Sequence, residues 1–93
     1  MSNYILLQQV RLGPTHQATG KTRHFHGGEQ LPCPSELRIV KYPDDPGYYL
    51  FYCNDERVEF TDTYHETLEG AISQAEWEFQ IKPMEWTILS EAN

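Results

Sequence analysis

The chain has 93 residues, a net charge of −7, and six Tyr, four Phe and two Trp. The aromatic content excludes a disordered chain, no run approaches the ~18 apolar residues of a membrane span, and residues at the N-terminus lack the basic-then-apolar pattern of a signal peptide. The expectation is one cytoplasmic domain spanning 1–93, built around a single small core.

In chain order, residues 4–12 (YILLQQVRL) predict a strand, with Tyr4, Leu6, Val10 and Leu12 on one face and Ile5, Leu7, Gln9 and Arg11 on the other. Gly13-Pro14 ends it, and a long irregular loop over 13–36 follows, rich in Gly, Pro, Thr and His. A connection of that length is either functional or mobile. Leu37–Tyr42 predicts a second strand, with Leu37, Ile39 and Lys41 on one face and Arg38, Val40 and Tyr42 on the other. Pro43-Asp44-Asp45-Pro46-Gly47 is a turn, because it combines fixed-φ and positive-φ residues. Tyr48–Cys53 (YYLFYC) is apolar on both faces and reads as a central strand. Asn54-Asp55 makes a second turn, and 57–61 a fourth strand with Val58 and Phe60 inward.

A helix then starts at 64–68, with Thr67 as its N-cap and Thr63 as a competing one. Leu68, Ala71, Ile72, Ala75 and Phe79 form its apolar stripe, Glu66 and Glu69 suit its positive end, and Lys82-Pro83 stops it. Trp86–Leu89 closes the chain as a short strand. The order β, long loop, βββ, α, β predicts an α+β fold: a mainly antiparallel four- to five-stranded sheet with one amphipathic helix packed on one face.

Two cysteines, Cys33 and Cys53, are too few for a disulfide-stapled secreted scaffold and read as buried or half-buried thiols. There is no Cys-x-x-Cys pair to suggest structural zinc. Gly20-Lys21-Thr22 fails as a phosphate loop, since Thr15 stands where the motif needs Gly and no helix start follows. His24-Phe25-His26 could turn two imidazoles to one side of an extended segment, so His24 and His26 are candidate metal ligands in the long loop, with Glu29, His16 or Cys33 to complete a site. Asp62, Tyr64, His65 and Glu66 form a polar cluster just before the helix; with no nucleophile beside it but threonines, it reads as a network fixing the start of the helix rather than as a catalytic site. The sequence therefore predicts no catalytic residues and no cofactor.

Charge is segregated. Residues 1–43 balance to +3 and residues 44–78 to −9. An acidic surface repels nucleic acid and attracts basic proteins. On the helical wheel Trp77 falls opposite Leu68, flanked by Glu69, Glu76 and Glu78. An outward Trp among carboxylates predicts an acidic, aromatic recognition patch. Because one helix covers only one face of a sheet, Tyr48, Tyr49 and Tyr52 add a second aromatic surface. The expected partner-binding residues are Trp77, Glu76, Glu69 and Asp62, joined by Asp44, Asp45 and Tyr48.

The segment TDTYHETLEGAISQAEWEFQIKPMEW, residues 61–86, resembles a pattern in small uncharacterised bacterial α+β proteins of the toxin-immunity type. In these a Tyr-rich strand leads through Thr-Asp-Thr into one amphipathic helix and a Pro-x-x-Trp-like ending, here Pro83-Met84-Glu85-Trp86. The resemblance covers about a third of the chain by pattern and bulk properties and transfers no individual residue. It implies a non-catalytic protein that binds and neutralises a cognate toxin, commonly a basic nuclease. The alternative is a small metal- or ligand-binding protein or enzyme using His24 and His26.

Overall fold

The apolar alternation of the tyrosine-rich segment and its neighbours is realised as a meander. The computed structural model describes residues 4–13 and 34–89, together with the backbone of 25–26 and 29–30. The strands are β1 (Ile5–Arg11), β2 (Phe25–His26), β3 (Glu29–Gln30), β4 (Glu36–Lys41), β5 (Tyr48–Cys53), β6 (Glu59–His65) and β7 (Thr87–Ile88), with α1 (Leu68–Phe79) between β6 and β7. Five of them form one antiparallel sheet in the order β6-β5-β4-β1-β7, and β2 and β3 pair separately. The helix packs on β4, β5 and β6, which gives the expected α+β fold. The connection read as irregular over 13–36 thus contains a short ladder, and β4 begins at Glu36. Its ends are held together: the Leu12 amide donates to Ser35 O at 2.9 Å, and the Ser35 amide to Cys53 O at 2.8 Å.

Under the helix lies the main core. Leu7, Val10, Leu37, Ile39, Leu50, Tyr52, Ala71, Ala75, Phe79, Ile81 and Trp86 are all buried there, with Leu12, Tyr48, Phe60, Leu68 and Ile72 packed around them. Each fully buried Leu or Ile contributes about 1.5–3 kcal/mol by leaving water. Two β-bulges set which residues reach this core. In β1 the register slips between Leu6 and Gln8. Tyr4 and Leu6 therefore face away from the helix, while Leu7, Val10 and Leu12 face it. The single face expected for Tyr4, Leu6, Val10 and Leu12 is split, because a bulge inserts one residue and inverts the alternation after it.

The second slip, between Tyr52 and Cys53, lies opposite Phe60 on β6. Phe60 packs toward the helix, whereas Glu59 pairs with Cys53 and Asp62 with Phe51 on the other face. Without the extra residue, positions 59 and 62 would point in opposite directions. Val58, expected inward, is 57% exposed, since the turn after β5 runs through it. There the Asn54 side chain accepts the Glu56 and Val58 amides at 2.9 and 3.0 Å, and Arg57 takes a left-handed φ of 65°.

The strand expected over 57–61 starts at Glu59 and runs on to His65, taking in most of the polar cluster before the helix. Thr67 then caps α1, its hydroxyl accepting the Gly70 amide at 3.0 Å. The helix stops at Phe79, before the expected Lys82-Pro83, because Gln80 adopts the left-handed conformation (φ 60°) with its amide on Glu76 O at 2.8 Å. That reversal returns Ile81 to the core, fully buried. A 3-10 turn, Pro83–Glu85, closed by the Lys82 amide on Glu85 at 2.7 Å, then delivers Trp86 into the core.

Candidate functional site on the helix-free face of the sheet

Strand alternation sends a second set of aromatic rings away from the helix. Tyr4 meets Tyr42 and Phe51 edge-on, with centroids 5.8 and 5.2 Å apart; Tyr42 meets Tyr49 at 5.3 Å, and Tyr49 meets Tyr64 at 5.2 Å. These T-shaped contacts suit the ring quadrupoles. The rings sit over buried Val40, Phe51 and Cys53. Tyr4, Tyr42 and Tyr49 are half-buried, and Tyr64 is 49% exposed. Gly47 fixes Tyr64 from below, since a Cβ there would overlap the phenol ring.

Carboxylates rim this row of rings. Asp45, in the turn before β5, accepts the Gly47 amide at 2.9 Å and the Tyr49 hydroxyl at 2.7 Å. Those two bonds hold its pKa below the usual carboxylate value, the Gly47 amide first. The hydrogen bond to Asp45, and then burial, push the Tyr49 phenol up to about 12. Tyr42 is raised by burial and then by the charges of Glu59 and Asp62, with Tyr4 and Asp45 adding to them. Glu59 is pushed up to about 7 by desolvation, then by its hydrogen bond with Asp62 and that carboxylate's charge. The β6 bulge thus sets the Glu59 and Asp62 carboxylates on one face of the sheet.

At the far end of the same face, Glu36 is buried and gathers three arginines. Arg38 Nε lies 2.5 Å from it, Arg11 Nη1 3.2 Å and Arg57 Nε 3.7 Å. Arg11 of β1 and Arg38 of β4 are thereby committed to an internal carboxylate, and the tyrosine end keeps its acidic rim.

The residues chosen from sequence fall into three places. Trp77 is 43% exposed on the outer surface of α1, with Glu76 exposed beside it in sequence. Tyr48 and Glu69 line an open groove of about 310 Å3 with Pro46, Glu66, Thr67 and Leu68. The Tyr48 ring is already faced by Lys41, whose Nζ is 5.2 Å from its centroid and donates to Asp45 O at 2.6 Å. Asp62 and Asp45 belong to the tyrosine face, and Asp44 is exposed in the turn beside them. Trp77 and Asp62 consequently lie on opposite sides of the sheet.

Of the tyrosines expected to form a second surface, only Tyr49 does so. Tyr48 and Tyr52 pack on the helix side, because even and odd positions of one strand face opposite ways. Tyr4, Tyr42 and Tyr64 are not expected on this surface from sequence, although the period-2 pattern of β4 and β5 already carries part of that signal.

Glu78, expected on the flank of Trp77, is 3% exposed and faces the core. The Tyr52 hydroxyl donates to it, and Gln74 Nε2 donates at 2.9 Å. Burial and the bond to Glu78 raise the Tyr52 pKa strongly. The polar cluster read before the helix is divided by the strand. Asp62 and Tyr64 face outward, while His65 lies under the helix, 2.8 Å from the Thr63 hydroxyl, its imidazolium disfavoured by burial. Tyr52 and Glu78 are sealed from solvent and beyond the reach of a substrate.

His24 lies outside the described residues, and His26 pairs with Glu29 in β2 and β3. Among the described residues no group of three or more His, Cys, Asp or Glu is placed to hold a metal ion, and no helix is long and apolar enough to cross a membrane. Cys33 also lies outside them; Cys53 is a buried free thiol, pushed up to about 11 by burial. No known protein family, curated protein or solved structure matches this chain.

Proposed function

We propose that this protein is a non-catalytic binding module that holds a basic protein partner on the acid-rimmed tyrosine face. The observation that carries the reading is the Asp45 carboxylate bonded to Tyr49, with Glu59 and Asp62 on the same face of β6 and the exposed ring of Tyr64 against Tyr49. A lysine or arginine arriving there gains the face of a ring and a carboxylate together. The net charge of −7 accelerates encounter with such a partner. An immunity-type role, in which the partner is a basic toxin, is the specific form of this reading. Trp77 with Glu76 offers a second contact surface, favoured by the exposure of the indole.

The test is capture on the immobilised protein from the organism that makes it, with captured proteins identified by mass spectrometry. A basic protein should be retained, then lost with Tyr64→Ala and with Asp62→Lys at unchanged melting temperature. Trp77→Ala should weaken capture less. Equal retention by wild type, Tyr64→Ala and Asp62→Lys overturns the tyrosine face, and a loss confined to Trp77→Ala moves the site to the helix.

A further inference from the structure

We propose that the free edge of β6 accepts an extended strand of the basic partner, so that recognition combines main-chain pairing with the acid and tyrosine side chains. This inference rests on the tyrosine-face reading and specifies how the partner is held.

The two edges of the sheet are built differently. The β7 edge is a two-residue strand that follows a 3-10 turn, which gives an incoming chain little to pair with. The β6 edge is seven residues long and contains no Pro, Lys or Arg. Its irregularity is confined to the Phe60 end; from Thr61 to His65 the register with β5 is regular. Among the described residues no strand pairs with its outer side. On such an edge every second residue turns its N–H and C=O outward, leaving groups that another strand can satisfy.

Charge selects the occupant. A second copy of this chain pairing antiparallel about Asp62 would set Asp62 against Asp62, and the two copies each carry −7. Like charges directly opposite one another are destabilising. A strand with Lys or Arg at alternate positions would instead place its cations on the helix-free side, beside Glu59, Asp62 and the ring of Tyr64. Its other side would meet Thr61, Thr63 and His65, where small side chains fit below the helix. The preferred ligand is therefore a basic-x-basic-x-basic segment in extended conformation.

The probe is a capped synthetic peptide, Lys-Thr-Lys-Val-Lys-Thr-Lys, titrated against the full chain by calorimetry. It is prepared unmodified and N-methylated at alternate residues in each of the two phases. The unmodified peptide should bind, and its glutamate counterpart should not. One N-methylated phase should weaken binding about tenfold or more, by blocking the amides that face β6, while the other should change it less than about threefold. Amide exchange in residues 61–65 should slow on binding. Equal affinity of all three basic peptides overturns strand pairing, and so does failure of the unmodified peptide to bind. If the affinities are equal but fall with Asp62→Lys, the tyrosine face still binds cations and only the edge is rejected. If no peptide binds, partner capture with Tyr64→Ala reads the face independently.

Discussion

The two faces of this sheet are made from alternate residues of the same strands, yet they solve different problems. Under the helix, Leu37, Ile39 and Leu50 are fully buried, and the tyrosine there, Tyr52, has its hydroxyl taken by Glu78. On the opposite face, Val40, Phe51 and Cys53 are covered by a row of tyrosines that are half-buried or exposed. A helix can seal aliphatic side chains completely. A face without a helix needs residues with an apolar body and a polar tip, and tyrosine supplies both. The comparison teaches that a tyrosine's neighbours across the sheet, rather than the residue type, decide whether it is core or surface.

Truncation should separate the faces most strongly. Leu50→Ala, which empties space under the helix, is expected to cost about 3–4 kcal/mol in urea unfolding, against less than about 1 kcal/mol for Tyr64→Ala. Comparable losses would mean that the tyrosine row is structural core.

The arginine end of the helix-free face should come next. Glu36→Gln leaves three guanidinium groups facing a neutral amide and is expected to cost about 2–3 kcal/mol, reduced from a fully buried pair because Arg11 and Arg57 are more than half exposed. A loss that vanishes in high salt would show that the cluster is only a surface pairing.

Tyr52→Phe then sharpens the contrast between tyrosines. Removing the hydroxyl leaves Glu78 short of a donor and should destabilise by about 1–2 kcal/mol, whereas Tyr49→Phe, at the solvent side, should cost less. A double-mutant cycle with Glu78→Gln measures the coupling directly.

The smallest effect is one of pH. The folded pKa of Glu59, about 7, lies above its ordinary value of 4.5. The native state therefore holds more protons than the unfolded state between those values, and Glu59 costs the fold stability as pH rises through that window. Glu59→Gln should raise the melting temperature relative to wild type at pH 8 and leave it nearly unchanged at pH 4. A difference independent of pH would break the link between Glu59 and Asp62.

Local patterning carried much of this architecture. The alternation of Leu37, Ile39 and Val40, the two-faced run Tyr48–Cys53, the proline-glycine turn and the Thr67 cap are all short-range signals, set by side-chain period and backbone φ. The candidate site was less legible. Asp62 and Asp45 stand out in the sequence for their charge, but their place on one face with Tyr42 and Tyr49 depends on pairing three strands and on a bulge at Phe60 that periodicity does not announce. Glu78 was read as a surface acid because a helical wheel knows only angles. It is buried because Tyr52 on β5 offers it a hydroxyl.

The sequence by itself determined the main strands, their antiparallel meander and the position of the helix, since each follows from contacts or torsions a few residues apart; it did not show the β2–β3 ladder or the length of β6. Only the tertiary structure decided which face each tyrosine occupies, which acids remain at the surface and which strand is left as the long open edge. Those outcomes depend on register. A single inserted residue in a bulge reverses every side chain beyond it, and the reversal is stabilised by burial that no isolated segment possesses.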